Sequence, residues 1–306
     1  DRLVAITRLV PGVTDTPERI TGIPRVLFAS GAPLADPTIR PGAMFMGLLH
    51  ALDASGRCRA RAIQNASIDD LRVACERFQP DVVHLVAHGD LAADGRGALL
   101  LRGDSGDEAA DATALLTALS AGRRPRAVVL SACNTASSGE TGDTGDLSTA
   151  MDDPTAASPL AAQLVDAGVP IVSAMAGEIG ERACRLYTRR LAEAIHEGRS
   201  VVEASAHGRR AALMASEEPS ADLDWALPAL FLTEGLDPNQ QMVDSERAGK
   251  VLHLADNLAL RREPVYIGRQ EILAAADRLV EPDSDVGVVA ALCKGSTARM
   301  GVTRFL

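Results

Sequence analysis

Three features of this sequence predict an α/β protein with a mostly parallel central sheet and helices on both faces. Strand and helix signals alternate over the first two thirds of the chain, the order expected of such a sheet. Two runs, residues 81–87 and 127–132, are packed with valine, leucine and alanine and lack polar alternation, the pattern of strands buried on both faces. Both runs stop at a residue able to do chemistry, His88 in the first and Cys133 in the second. In open α/β sheets reacting groups collect just beyond the carboxyl ends of strands. A base and a nucleophile are thereby delivered to one edge.

The elements follow in order. Residues 25–30 form a short strand broken by Gly31 and Pro33, and a helix is expected over 43–54. A weaker strand covers 57–65. Ser67 then N-caps a helix, with Asp70 three residues on to complete a capping box. After the His88 strand, residues 97–101 read as a hairpin-like strand and 111–119 as a helix, and the Cys133 strand comes next. Residues 137–157 are glycine, serine, threonine and acid, with almost nothing to bury, and read as a loop. Order returns with a helix over 159–166, a strand over 169–174, helices over 179–197 and 201–215, and a closing strand over 225–232. A polar stretch from 236 marks a domain boundary. The predicted organisation is a domain over 1–235, a linker over 236–264 and a second region over 265–306.

The bulk properties exclude several classes. The 306 residues give a full core, and 46% hydrophobic with 24% charged residues is ordinary for a globular protein. A formal net charge of −10 argues against general nucleic-acid binding. Lys250 and Lys294 are the only lysines, so arginine carries nearly all the positive charge, read as compositional bias. Cys58, Cys75, Cys133, Cys184 and Cys293 are few, odd in number and far apart. This argues against a disulfide framework or zinc site and predicts a reducing, cytoplasmic setting with no metal. No run is long and apolar enough for a membrane helix, and no signal-peptide pattern opens the chain.

A cysteine nucleophile needs a thiolate, a base and donors for the developing oxyanion. Cys133 alone reads as a buried inert thiol, but His88-Gly89 on a neighbouring strand changes that reading. A residue without a β-carbon lets its N–H approach a substrate carbonyl, so the Gly89 and Cys133 amides are the expected oxyanion hole. Cys133 follows His88 by 45 residues, near the interval of about 50 seen between caspase histidine and cysteine.

Val83-His84-Leu85-Val86-Ala87-His88-Gly89, Leu130-Ser131-Ala132-Cys133-Asn134-Thr135 and Ser158-Pro159-Leu160-Ala161-Ala162-Gln163-Leu164-Val165-Asp166-Ala167-Gly168-Val169-Pro170-Ile171-Val172 occur in that order. Together they resemble the CHAT domain of the caspase-like (clan CD) cysteine peptidases, over roughly residues 23–233. The resemblance implies a caspase-like fold, His88 as catalytic histidine, Cys133 as nucleophile and no cofactor. It also implies a protein or peptide substrate and a role in bacterial defence or cell death. His84, four residues before His88, reads as a packed histidine. Metacaspases carry an acid two residues before the nucleophile to receive a basic P1 side chain; this chain has Ser131 there. Asp152 and Asp153, with Glu140, Asp143 and Asp146, are the acids available for that task, their plainer reading being a solvated acidic loop. Ser131, Asp152 and Asp153 are the expected substrate-binding residues.

Residues 264–273, with Gly268-Arg269-Gln270-Glu271, resemble the entry to a STAND-type signalling ATPase, and 286–292 supply a strand. The residues after it, through Lys294-Gly295-Ser296-Thr297 to Val302-Thr303, depart from GxxxxGK[ST]. ATP binding by this stretch is therefore not expected. The segment is read as the truncated start of a regulatory NTPase or sensor portion, with a docking tail as its plainer alternative. The rival reading for the whole chain is a latent or degenerate caspase-like interaction module.

Overall fold

The structure, a computed structural model, describes residues 4–11, 17–52, 58–91, 97–135, 159–216 and 222–244. The chain divides into two compact units, residues 1–261 and 262–306, and all described residues lie in the first. Asp152, Asp153, the rest of the expected acidic loop and the NTPase-like stretch lie outside the described residues.

The ten strands among the described residues form two sheets. Strands β1 (Thr7–Val10), β2 (Arg25–Ser30), β3 (Arg59–Ile63), β4 (Val82–Val86), β8 (Ala127–Ser131), β9 (Ile171–Met175) and β10 (Pro228–Thr233) form a seven-stranded sheet in the order β1-β10-β9-β8-β4-β2-β3. From β9 to β3 every pairing is parallel; β10 runs antiparallel to β9, and β1 parallel to β10. A separate antiparallel sheet holds β5 (His88–Leu91), β6 (Gly97–Arg102) and β7 (Asp107–Ala110). The mostly parallel α/β architecture is as the sequence predicts.

The helices cover both faces. Leu27, Ala29, Val83, Leu85, Val128 and Leu130 pack in one core with the buried stripes of α2 (Ile68–Phe78), α3 (Ala112–Leu119) and α4 (Leu160–Asp166). The opposite face of β2 and β4 meets α1 (Pro41–Leu52) and α5 (Glu181–His196), and α6 (Val201–Met214) packs beside α5. Local chemistry sets the boundaries: Ser67 and Asp70 form the expected capping box at α2, Asp111 caps α3, and Ser200 with Glu203 makes a second capping box at α6.

Three differences from the sequence reading have physical causes. Strand β1 escaped notice because it is short and mostly exposed, an edge strand held only by β10. The run ending at His88 is two strands: β4 ends at Val86, and His88 opens β5 in the other sheet. The polar stretch from 236, expected as linker, begins as part of the domain. Leu236, Met242 and Val243 are buried, and Ile20 and Met242–Asp244 exchange backbone hydrogen bonds.

His84 is buried between β4 and the α1/α5 face, its ring tilted against Phe28 with centroids 5.4 Å apart. Burial, with the neighbouring His196 adding to it, pushes its pKa down to about 3. Below the unfolded value of about 6.5 the unfolded chain takes up a proton that the folded chain refuses, so stability is full above pH 6.5 and falls as pH drops. His84→Gln is expected to flatten the pH dependence of urea stability between pH 6.5 and 5, removing a slope of up to about 1.4 kcal/mol per pH unit.

Candidate active site

The site is assembled by three neighbouring parallel strands, β8, β4 and β2, each supplying one residue just past its carboxyl end. Val86 of β4 is the register partner of Ser131 of β8. The two chains continue together, with the Ala87 N–H on the Ser131 carbonyl at 3.4 Å. His88 and Cys133 each lie two residues beyond that pair, at the same end of the sheet. On the far side of β4, Gly31 at the end of β2 donates to the Val86 carbonyl at 3.0 Å. The loop that follows carries Asp36.

Asp36 is the residue sequence reading missed. Its Oδ2 lies 3.3 Å from His88 Nε2. Its Oδ1 accepts from the Thr38 hydroxyl at 2.7 Å, the Thr38 N–H at 2.9 Å and the Ile39 N–H at 3.1 Å. The Thr38 hydroxyl foremost, with the Ile39 and Thr38 amides and His88, holds the Asp36 carboxyl well below the usual carboxylate range. The only sequence signal was an Asp-Pro-Thr turn after the β2 strand, which is too common to single out. The ionised Asp36 accepts the Nε2–H of His88, which leaves Nδ1 as the ring nitrogen able to accept a proton in the Nε2–H tautomer.

The turn carrying Cys133 is fixed from beneath. Thr135 is fully buried; its hydroxyl donates to the Ala132 carbonyl at 3.0 Å and accepts from the Met175 N–H at 3.2 Å. Asn134 adopts a left-handed conformation, φ 58°, and donates to the Gly177 carbonyl at 3.2 Å. Across from this turn, Gly89 packs directly on the Cys133 peptide: a β-carbon there would sit 1.9 Å from the Cys133 carbonyl oxygen. The missing side chain thus makes room first for the Cys133 backbone, and by that close approach sets the two residues' peptides together.

Among the described cysteines, Cys58, Cys75 and Cys184 are buried and Cys133 is partly exposed. Burial raises the Cys75 and Cys184 thiols to about 12, leaving them inert. Ser131 is not brought to the surface. It is 4% exposed, and its hydroxyl meets that of Thr188 on α5 at 3.1 Å. Strand alternation explains this, since Ser131 shares the α5-facing side of the sheet with His84. Its expected contact with substrate is therefore replaced by a contact inside the core.

Two variants test this geometry. Gly89→Ala is expected to displace the Cys133 turn, and to lower the rate of Cys133 alkylation by iodoacetamide at least about tenfold in a folded protein. Asp36→Asn removes the charge that orients His88, and is expected to slow the same reaction by about tenfold or more while leaving the melting temperature within a few degrees.

Among curated proteins no relative matches. Solved structures of similar fold include the Saccharomyces cerevisiae separase–securin complex (12% identity, TM-score 0.47, covering 72% of this chain and 13% of that one). They include gingipain R (RgpB), the Arg-specific cysteine proteinase of Porphyromonas gingivalis (13%, 0.47, 74% and 50%). Caspase-1 from Spodoptera frugiperda is a third (14%, 0.39, 74% and 93%). This chain therefore spans half of the gingipain chain and a small part of separase. The CHAT domain profile matches residues 44–233, which include His88, Gly89 and Cys133 and begin after Asp36. That match covers well over half of the sequence, and the chain belongs to the CHAT domain family.

Proposed function

We propose that this chain is a cysteine endopeptidase of the caspase-like kind that cleaves a partner protein under the control of a regulatory portion. The observation that supports the reading is a partly exposed Cys133 two residues past β8, its peptide packed on Gly89, next to a His88 whose Nε2 lies 3.3 Å from Asp36 Oδ2. In this mechanism His88 Nδ1 takes the Cys133 proton and the thiolate attacks a peptide carbonyl. The Gly89 and Cys133 amides receive the oxyanion. His88 then protonates the leaving amine, and in the second half activates water to hydrolyse the thioester. No metal or organic cofactor takes part.

The regulatory reading rests on sequence. Residues 265–306 resemble the start of a STAND-type NTPase, the CHAT resemblance points to an effector of bacterial defence or cell death, and the few, scattered cysteines point to the cytoplasm. Asp152 and Asp153 belong to this proposal as acids for a basic P1 side chain. Among the described residues no helix is long and apolar enough to cross a membrane.

The decisive measurement is the alkylation rate of each cysteine across pH, read by mass spectrometry, in wild type and His88→Ala. Cys133 is expected to react fastest in wild type, by about tenfold or more below pH 8, and to lose that advantage in the variant. Equal Cys133 rates in the two proteins would overturn the dyad, and the chain would then be an interaction module.

A further inference from the structure

The opposite end of the sheet has an unusual charge. At the amino-terminal edge of β3, β2, β4 and β8, Arg59 and Arg25 are direct register partners. Like charges placed directly opposite each other on paired strands are destabilising. Arg25 and Arg61 both stack over Phe78, at 4.9 and 5.2 Å from the ring centroid. Next along the edge, the buried Asp81 accepts from the Arg25 N–H and from the side chains of Arg123 and Arg126. Arg77 and Arg124 stand exposed beside this group, at the end of α2 and just before β8. Arg59, Arg77, Arg123, Arg124 and Arg126 thus gather at this edge, where among the described residues Asp81 is buried beneath Arg123 and Arg126, Glu76 is engaged by Arg72 at 3.6 Å, and Glu18 lies exposed where its carbonyl accepts from Arg126. This concentration occurs in a chain with a formal net charge of −10.

We propose that this edge is a docking ledge for a short acidic segment of a protein partner. Four adjacent strands span about 14 Å, the length of about four extended residues. Beyond β8 the same edge turns acidic, with exposed Asp166, Glu234 and Asp237 where α4 ends and β10 leaves the sheet. A long polyanion would run off the arginines into that repulsion; a short acidic segment would not. Phe78 is 2% exposed beneath its arginines, so among these residues it offers no platform on which a base could stack. The exposed guanidinium forks of Arg77, Arg123 and Arg124 suit carboxylates. The ledge lies about 23 Å along β4 from His88, so a partner seated there leaves the catalytic edge open. This inference does not depend on Cys133 being catalytic.

The test is fluorescence anisotropy of a fluorescein-labelled hexaglutamate peptide added to the whole chain at low salt. Binding is expected in wild type, weakening steeply as salt rises, and weakening at least about tenfold in the Arg77→Glu/Arg124→Glu variant. Both side chains are exposed and neither binds Asp81, so the variant is expected to melt as wild type does. The control Arg182→Glu/Arg210→Glu, equal in charge change, is expected to bind as wild type. No binding by wild type, or equal binding by the ledge variant, would overturn the proposal. Tighter binding of hexathymidylate than of hexaglutamate would also overturn it, in favour of a nucleic acid.

Discussion

The contact between Gly89 and the Cys133 peptide is the constraint on which the site depends. It exists only because β4 and β8 are paired in parallel with Val86 opposite Ser131, and because β5 begins immediately after β4 at His88. A shift of one residue in that register would turn His84, Ser131 and their neighbours to the wrong face. It would also move Gly89 off the Cys133 peptide. The buried hydroxyls of Thr135, Ser131 and Thr188 hold the Cys133 turn against this shift. Each is a polar group in an apolar core and is worth keeping only when it is satisfied.

Charge is distributed with equal economy. At the candidate site Asp36 is kept ionised by three donors from its own turn, and its remaining oxygen meets His88. The second histidine of the same run, His84, has no such partner and is kept neutral by burial. Two histidines four residues apart thus have opposite roles, set by what each strand end faces. At the other edge Asp81 ties the approaches to β2, β4 and β8 together, accepting from Arg25, Arg123 and Arg126. A buried carboxylate with this many partners fixes the edge more than it stabilises it.

Much of this was legible in the sequence. Apolar runs without alternation gave β4 and β8, and the Ser67–Asp70 capping box gave the start of α2. His88, Gly89 and Cys133 stood out as candidates because strand ends are where α/β sheets place their chemistry. Other features were hidden. Strand β1 is too short and too exposed to announce itself, and the anchoring of Met242 and Val243 depends on Ile20, more than 200 residues away.

The sequence by itself determined which segments become strands and helices and which residues end them, because periodicity, caps and glycines act over a few residues. Tertiary structure alone decided which strand ends become neighbours. Asp36 reaches His88 because β2 lies beside β4, and Ser131 turns to Thr188 because α5 covers that face. Gly89 needs to be glycine because the Cys133 carbonyl, distant in sequence, occupies the space of its missing β-carbon. The arginines at the amino-terminal edge come from four separate segments and form one surface only when the parallel register aligns them. Pairing across a sheet is a long-range choice made by packing, and no local pattern encodes it.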